Sequence, residues 1–215
     1  MADVSKKIAS GAALGVEYHI HDRVGTIEGT DTRSETEVTG SVSGGGGFSS
    51  GGTGFTNPVS GSIQSKTTNY QNVYLKDEDG DEHTIELVDF LVPCKQGHKV
   101  SFFVVKTGSD RYGSIFHAYN HNTRQHYDHA KSLRGHLFPT KWFMLALAAI
   151  GGISFLAFLA DSGTTFWGAV GLTIVVLLLA GAVLWVAGAI LGALRAAAVR
   201  RNPAYRQALN ALGRA

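Results

Sequence analysis

The sequence predicts an α+β membrane protein, in which a small antiparallel β-barrel or sandwich domain is followed by a two-helix transmembrane hairpin. The first observation behind this prediction is a polar N-terminal part, since all nine histidines and all but one of the 17 acidic residues precede position 142. The second is a C-terminal part with two long charge-free apolar runs. The averages over the whole chain, 215 residues with a net charge of +2, conceal this division.

The apolar runs cover residues 142–160 and 166–194, and they predict two transmembrane helices. At ~1.5 Å per residue the first spans roughly 28 Å, close to the ~30 Å hydrocarbon core of a bilayer. The second is longer than a perpendicular crossing needs, so we expect it to tilt or to project into the cytoplasm. Residues 161–165 predict a short external turn that makes the helices antiparallel neighbours. Neither run has an ionisable side chain, which argues against a proton relay, an ion-coupled transporter or a charged selectivity ring.

Basic residues flank both runs and are missing from the turn between them. The positive-inside rule therefore places both termini in the cytoplasm, with anionic lipid headgroups as a partner. In the basic C-terminal tail, residues 195–215, a short helix from Pro203 to Leu212 is expected to turn Ala204, Ala208, Leu209 and Leu212 towards lipid. We interpret this tail as an anchor and not as a nucleic-acid arm. With the basic juxtamembrane segment 131–141, the predicted interface residues are Trp142, Trp167, Lys131, Arg134, Lys141, Arg195, Arg200, Arg201 and Arg206.

Glycines mark the expected packing surface of the two helices. Small residues let helix backbones approach closely in lipid, where no hydrophobic driving force acts between helices. Packing within the hairpin and association with a second copy both remain open. The predicted positions are Gly151, Gly152, Gly181, Gly188 and Gly192.

Residues 16–130 show strand patterns and predict a cytoplasmic β-domain, preceded by an N-terminal segment, 1–15, that lacks the features of a signal peptide. A hairpin is expected around the turn at residues 77–80, and a second around residues 120–123. Residues 99–106 are rich in Val and Phe and predict a buried strand. Residues 35–42 alternate weakly, as a further edge strand would.

Residues 40–61 are rich in glycine and predict a flexible insertion between strands. A phosphate-binding Walker loop would need a Lys-Ser or Lys-Thr pair entering a helix after its last glycine, and this segment has neither. The sequence Ser60-Gly61-Ser62 lacks the strand-turn-helix setting of a nucleophilic serine.

Histidines form the one group with potential for chemistry. Five lie within residues 117–136, and in a hairpin His117 and His126 would meet across strands. Zinc needs three or four converging ligands, and the local spacing matches no standard zinc pattern. The weak candidates for metal ligands are His117, His121, His126 and His129. Cys94 is the sole cysteine, and the acidic turn 77–82 lacks the ligand order of an EF-hand, so we expect no cofactor.

The acidic hairpin, the Gly97-His98 turn and the turn at 120–123, placed before a helical hairpin, resemble bacterial inner-membrane proteins in general. The resemblance identifies no family of known activity, so it implies no functional residue. We expect a non-enzymatic interaction or assembly module at the inner membrane, with a protein partner or a second copy bound to the β-domain. Two alternatives remain: a membrane-perturbing effector whose hairpins cluster into a pore or defect, and a metal-dependent hydrolase that uses the His117–His136 cluster.

Overall fold

The computed structural model describes residues 5–43, 47–50, 53–56, 60–108, 113–160 and 165–212. The strands are β1 (Lys6–Ala13), β2 (Val16–Ser43), β3 (Gly47–Ser50), β4 (Thr53–Thr56), β5 (Ser60–Lys76), β6 (Glu82–Val88), β7 (Lys99–Thr107), β8 (Ser114–Asn120) and β9 (Gln125–Asp128). The helices are α1 (Ala130–His136), α2 (Thr140–Ala160), α3 (Phe166–Arg200) and α4 (Pro203–Leu212). Most of the predicted external turn, 161–165, lies outside the described residues.

Seven strands form one antiparallel sheet in the order β6-β5-β2-β7-β8-β9, with β1 also paired to β2. The sheet is open, so the barrel prediction is wrong. Closure would require the two strands at the ends of this order, β6 and β9, to pair with each other. In the described ladders β6 pairs with β5 and the four-residue β9 pairs with β8. The two predicted hairpins and the Val- and Phe-rich strand are confirmed as β5–β6, β8–β9 and β7.

Two segments contain strands that the sequence did not predict. The N-terminal segment forms β1, which pairs with β2 through a turn in which Leu14 and Gly15 adopt positive φ values of 47° and 79°. The glycine-rich segment was predicted to be a flexible insertion, but all of its described residues lie in strands. The β2–β5 ladder continues through it to the pair Ser43↔Ser60, and β3 and β4 form a separate two-stranded sheet.

The chain divides into two compact units, Met1–Gly25 with Lys99–Ala215, and Thr26–His98. The core of the first unit combines sheet residues with residues from three helices, so a β-domain ending at residue 130 would cut through it. Its buried members are Ala9, Ala13, Tyr18, Ile20, Phe103, Val105, Phe116, Tyr119, Leu133, Leu137, Ala196, Val199 and Tyr205.

The second unit has a small core on one face of β5 and β6, where Val73 lies opposite Ile85 and Gln71 opposite Leu87. The segment 89–98 covers this face. Its Val92 exchanges two hydrogen bonds with the side chain of Gln71: the Gln71 amide donates to the Val92 carbonyl at 3.0 Å, and the Val92 N–H donates to the Gln71 Oε1 at 2.7 Å.

Helices α2 and α3 are both long and apolar enough to cross a membrane. The core helix of a soluble protein would be mostly buried, whereas the most apolar stretches of α2 and α3 are 0% and 6% buried inside the protein. The N-terminus of α3 is capped by Thr165, whose Oγ1 accepts a hydrogen bond from the Gly168 N–H at 3.2 Å. The opposite end of α3 contributes Ala196 and Val199 to the core of the first unit.

Candidate functional site: a helix-covered sheet face and an exposed β arm

The histidine-rich hairpin brings together two of the four metal-ligand candidates. The Nε2 of His117 lies 3.1 Å from the Nδ1 of His126, so the two rings share a hydrogen bond. Burial lowers the pKa of His117 to about 4, and the neighbouring His126 adds to this effect. The His117 ring is therefore neutral at physiological pH, and it packs edge-on against Phe103 at 5.4 Å between ring centroids.

Helix α4 covers this face of the sheet. Its Tyr205 is buried, with ring centroids 5.7 Å from Phe103, 5.5 Å from Phe116 and 6.3 Å from His117. Burial also raises the pKa of the Tyr205 phenol. At the end of α4 the Leu212 carbonyl accepts a hydrogen bond from the Tyr119 hydroxyl at 3.0 Å.

Leu209 and Leu212 also pack against this core, so the prediction that they face lipid is wrong. The protein itself covers part of their apolar surface. Asn202 fixes the start of α4, since its side chain accepts hydrogen bonds from the N–H groups of Ala204 and Tyr205 and donates to the Ser10 carbonyl and the Tyr18 hydroxyl.

His121 belongs to a different group, centred on the buried hydroxyl of Ser101. The Nε2 of His121 lies 2.9 Å from the Ser101 Oγ, and the Asp22 carboxyl is hydrogen-bonded to the same residue. Burial raises the pKa of Asp22 to about 6, against the opposing effects of Ser101 and Lys6. Burial likewise lowers the pKa of His121. Because Ser101 is 0% exposed, this Asp-Ser-His group does not present a nucleophile to a substrate.

His129 lies at the start of α1, where its N–H donates to the Phe116 carbonyl at 2.8 Å. In the described ranges no three of the His, Cys, Asp and Glu side chains form a group that could hold a metal ion. The acidic hairpin tip is bonded internally: Asp77 accepts from the N–H groups of Asp79 and Asp81 and contacts the His83 ring at 2.9 Å. Its hydrogen bond with His83 lowers the pKa of Asp77.

Most of the predicted interface residues are exposed, but Arg195 is buried and Arg200 is half-buried. Trp142 and Trp167 are 75% and 78% exposed. Arg195, predicted at the headgroups, is buried: its guanidinium donates to the carbonyls of Leu137 and Leu14 at 3.0 and 3.1 Å. Arg200, half-buried at the end of α3, donates to both carboxylate oxygens of Asp128 at 2.8 and 2.6 Å. The exposed basic members are Lys131, Arg134, Lys141, Arg201 and Arg206.

The predicted packing glycines have different neighbours. A Cβ on Gly151 would lie 3.1 Å from Leu177, and one on Gly181 would lie 3.8 Å from Leu147, so both lie between α2 and α3. A Cβ on Gly188 would lie 2.6 Å from the Phe138 ring, and one on Gly192 would lie 3.1 Å from the Arg134 carbonyl. Gly188 and Gly192, four residues apart in a small-xxx-small pair, therefore pack against the segment 131–141 of their own chain. Around Gly152 a Cβ would meet no described neighbour within 4 Å.

A second feature lies in the other unit: a two-stranded β arm, formed by residues 30–43 of β2 and 60–69 of β5. Every residue from 30 to 43 and from 60 to 67 is exposed. The β6 ladder ends at the pair Tyr70↔Val88, so in the described pairings the arm residues of β5 lie beyond it. The strand predicted at residues 35–42 is confirmed as part of β2, whereas its pairing with β5 and the length of the arm were not predicted.

The arm has one charged and one uncharged face. Directly opposed residues of an antiparallel ladder project to the same side, and successive residues alternate between sides. The pairs Glu37↔Lys66, Glu35↔Thr68 and Arg33↔Tyr70 thus share one face. The other face, which we call the uncharged face, consists of the pairs Thr30↔Val73, Thr32↔Gln71, Ser34↔Asn69, Thr36↔Thr67, Val38↔Ser65, Gly40↔Ile63 and Val42↔Gly61.

Neither a protein-family model, nor a curated protein, nor a solved structure matches this chain.

Proposed function

We propose that this protein is a non-enzymatic interaction module, anchored in a bacterial inner membrane by α2 and α3, whose β arm binds a protein partner. Both termini lie in the cytoplasm in this proposal, because the Lys and Arg residues flank the two helices and none occurs in residues 161–165. The exposed basic residues near the helix ends suit contact with anionic headgroups.

The observation that carries the proposal is the wholly exposed arm. Folding by itself gains little from these residues, since exposed side chains bury no apolar surface. Three of them are nevertheless large and apolar: Val38, Val42 and Ile63 are 64%, 76% and 81% exposed. Exposed apolar rows on an otherwise polar surface are typical of protein-binding sites.

The contacts of the histidines favour a binding function over a catalytic one. His117 is bonded to His126 and covered by α4, and His121 is bonded to a buried serine. These contacts give the two histidines structural roles within the first unit.

Site-specific photocrosslinking of the full-length protein in native membranes tests the proposal. A photoreactive amino acid at Val38 should give a discrete protein adduct, because that side chain projects from the uncharged face. The matched control is Thr39, the next residue along β2, which projects from the opposite face. Absence of a protein adduct at Val38, or equal adducts at both positions, would contradict the proposal.

The topology is tested separately. Cys94 is the sole cysteine, so in a Cys94→Ser background single cysteines at Ser5 and Thr165 can be labelled with a membrane-impermeant maleimide. We expect labelling at Thr165 from the outer side of spheroplasts, and labelling at Ser5 only after the membrane is opened. The reverse result would contradict the assigned orientation.

A further inference from the structure

The uncharged face of the arm continues the core face of the second unit. Val73 and Gln71 are buried on that face, under segment 89–98, and they pair with Thr30 and Thr32 of β2. Beyond Gln71 the same side of the ladder bears Val38, Val42 and Ile63, all exposed. Segment 89–98 contacts the arm through Asp89, which exchanges hydrogen bonds with the backbone of Asn69. Beyond Asn69, none of the described residues covers the core side of the sheet.

The distribution of charge on the arm indicates which partner the uncharged face binds. All five charged residues of the arm, Asp31, Arg33, Glu35, Glu37 and Lys66, lie on the opposite side of the ladder. An interface between identical copies related by a two-fold axis sets a surface against itself, so any charge near the axis meets its own copy. A surface without charges avoids this repulsion.

The uncovered part of the uncharged face has room for a small contact between two copies. Residues 34–43, beyond the contact of Asp89 with Asn69, extend about 34 Å at ~3.4 Å per residue, and two strands ~4.8 Å apart give a face about 10 Å wide. Two such faces would bury roughly 700 Å², below the ~1,000 Å² expected of a specific interface. An interface of this size is weak in solution, but anchoring both copies in one membrane raises their effective concentration.

We propose that the uncharged face of the arm is a homotypic interface, on which Val38, Val42 and Ile63 of one copy pack against the same face of a second copy in the membrane. This inference rests on the proposed function, in which the arm binds protein, and it names the partner as this chain itself. It moves the expected self-association from the glycines Gly188 and Gly192, which Phe138 and the Arg134 backbone already cover, to the β arm.

Cysteine crosslinking of the full-length chain in native membranes tests this interface. In a Cys94→Ser background, Val38→Cys and Ile63→Cys should form dimer-sized adducts with a flexible bis-maleimide. The matched controls Thr39→Cys and Gln64→Cys are their chain neighbours on the charged face, and we expect a several-fold lower yield from them. Equal yields from the two faces would overturn the proposal.

The identity of the adduct separates this inference from the function on which it rests. An adduct at Val38 and Ile63 with a different protein only would overturn the homotypic interface and retain the binding function. No adduct of either kind would overturn both. As a second measurement, the double variant Val38→Lys, Ile63→Lys should lose the dimer while its thermal unfolding midpoint in detergent stays unchanged. A dimer that persists in this variant would also overturn the inference.

Discussion

Helix α4 and the β arm are both segments with one apolar side, but they differ in what covers that side. In α4, Tyr205 is buried among three aromatic rings, and Leu209 and Leu212 pack against the core of the same unit. The apolar residues of the arm are exposed, Ile63 at 81%. An apolar side that packs against the same chain stabilises the fold. An apolar side that stays exposed can instead bind a partner.

The largest effect is expected from Tyr205→Ala. Removing a buried aromatic side chain leaves a cavity, and such truncations cost about 3–5 kcal/mol. We expect the free energy of unfolding, measured by denaturation in mixed micelles, to fall by about that amount. The adjacent Arg206→Ala is the control, since Arg206 is exposed and should change the stability by less than ~0.5 kcal/mol. Equal stability of the two variants would show that α4 does not cover the sheet.

Arg195→Met tests whether an arginine predicted at the headgroups is instead part of the core. The substitution preserves much of the side-chain volume but leaves the buried carbonyl of Leu137 and the carbonyl of Leu14 without their donors. An unsatisfied buried acceptor costs about 1–3 kcal/mol, so we expect a loss in that range by the same denaturation method. The exposed Arg201→Met should leave the stability nearly unchanged, and a similar loss in both would contradict the buried role.

Gly188→Val tests whether the small-xxx-small pair is occupied within one chain. The new side chain would meet the Phe138 ring, and overpacking of this kind costs about 1–3 kcal/mol. Since a Phe ring can partly move aside, we expect a value at the lower end, visible as a reduced thermal midpoint in detergent. Gly152→Val is the matched control within the other helix, because a Cβ there meets no described neighbour. The reverse order of effects would place the packing surface on Gly152.

The stability of the first unit should depend on pH through two side chains, His117 and Asp22. Their effects on stability have opposite signs. The pKa of His117 is lowered from 6.5 to about 4, so its contribution to stability is present above pH 6.5 and is lost as the pH falls towards 4. The pKa of Asp22 is raised from 3.8 to about 6, so its contribution is present below pH 3.8 and is lost as the pH rises through 6.

Single variants should expose each contribution. Relative to the parent protein, Asp22→Asn should gain stability as the pH rises from about 4 to above 6, whereas His117→Gln should gain stability as the pH falls from 6.5 to 4. Thermal unfolding across this pH range measures both differences. Parallel pH profiles for the parent and either variant would contradict the assigned shift.

The smallest effect on folding is expected in the arm. Val38→Thr keeps a β-branched side chain and replaces one exposed methyl group with a hydroxyl, so the free energy of unfolding should change by less than ~0.5 kcal/mol. Val73→Thr is the comparison on the same face of the ladder, but Val73 is buried and should lose clearly more. Equal losses would mean that the arm is covered within the single chain.

The sequence was sufficient wherever a local pattern decided the structure. Aspartate and glycine in the turn at 77–80, between β-formers, predicted the β5–β6 hairpin, and charge-free length predicted two helices able to cross a membrane. The sequence was insufficient where the structure depends on contacts between residues that are far apart in the chain. Leu209 faces protein instead of lipid because residues far away in the chain, such as Phe116, form a surface to receive α4. The continuation of the β2–β5 ladder into the glycine-rich segment depends on cross-strand pairing, which glycine and serine propensities understate.

The candidate site was predictable only in part. The meeting of His117 and His126 followed from the hairpin, since residues on one face of two paired strands are neighbours. The contacts of Ser101 with Asp22 and with His121 join β2, β7 and the turn after β8, and no spacing in the sequence connects these residues. Of the arm, the sequence predicted only residues 35–42, as an edge strand. Its full length was missed because both of its sides are exposed, so no row of apolar residues marks it.

Helix α3 is continuous over 35 residues, from the Thr165 cap to a terminus packed in a protein core. At ~1.5 Å per residue it is about 52 Å long, so some 20 Å extends beyond a ~30 Å hydrocarbon layer. In the proposed membrane arrangement, α3 is therefore a rigid connection between the bilayer and the sheet of the first unit. A thinner or thicker bilayer that changes the tilt of α3 would then rotate that sheet by the same angle, so the orientation of the sheet would follow membrane thickness.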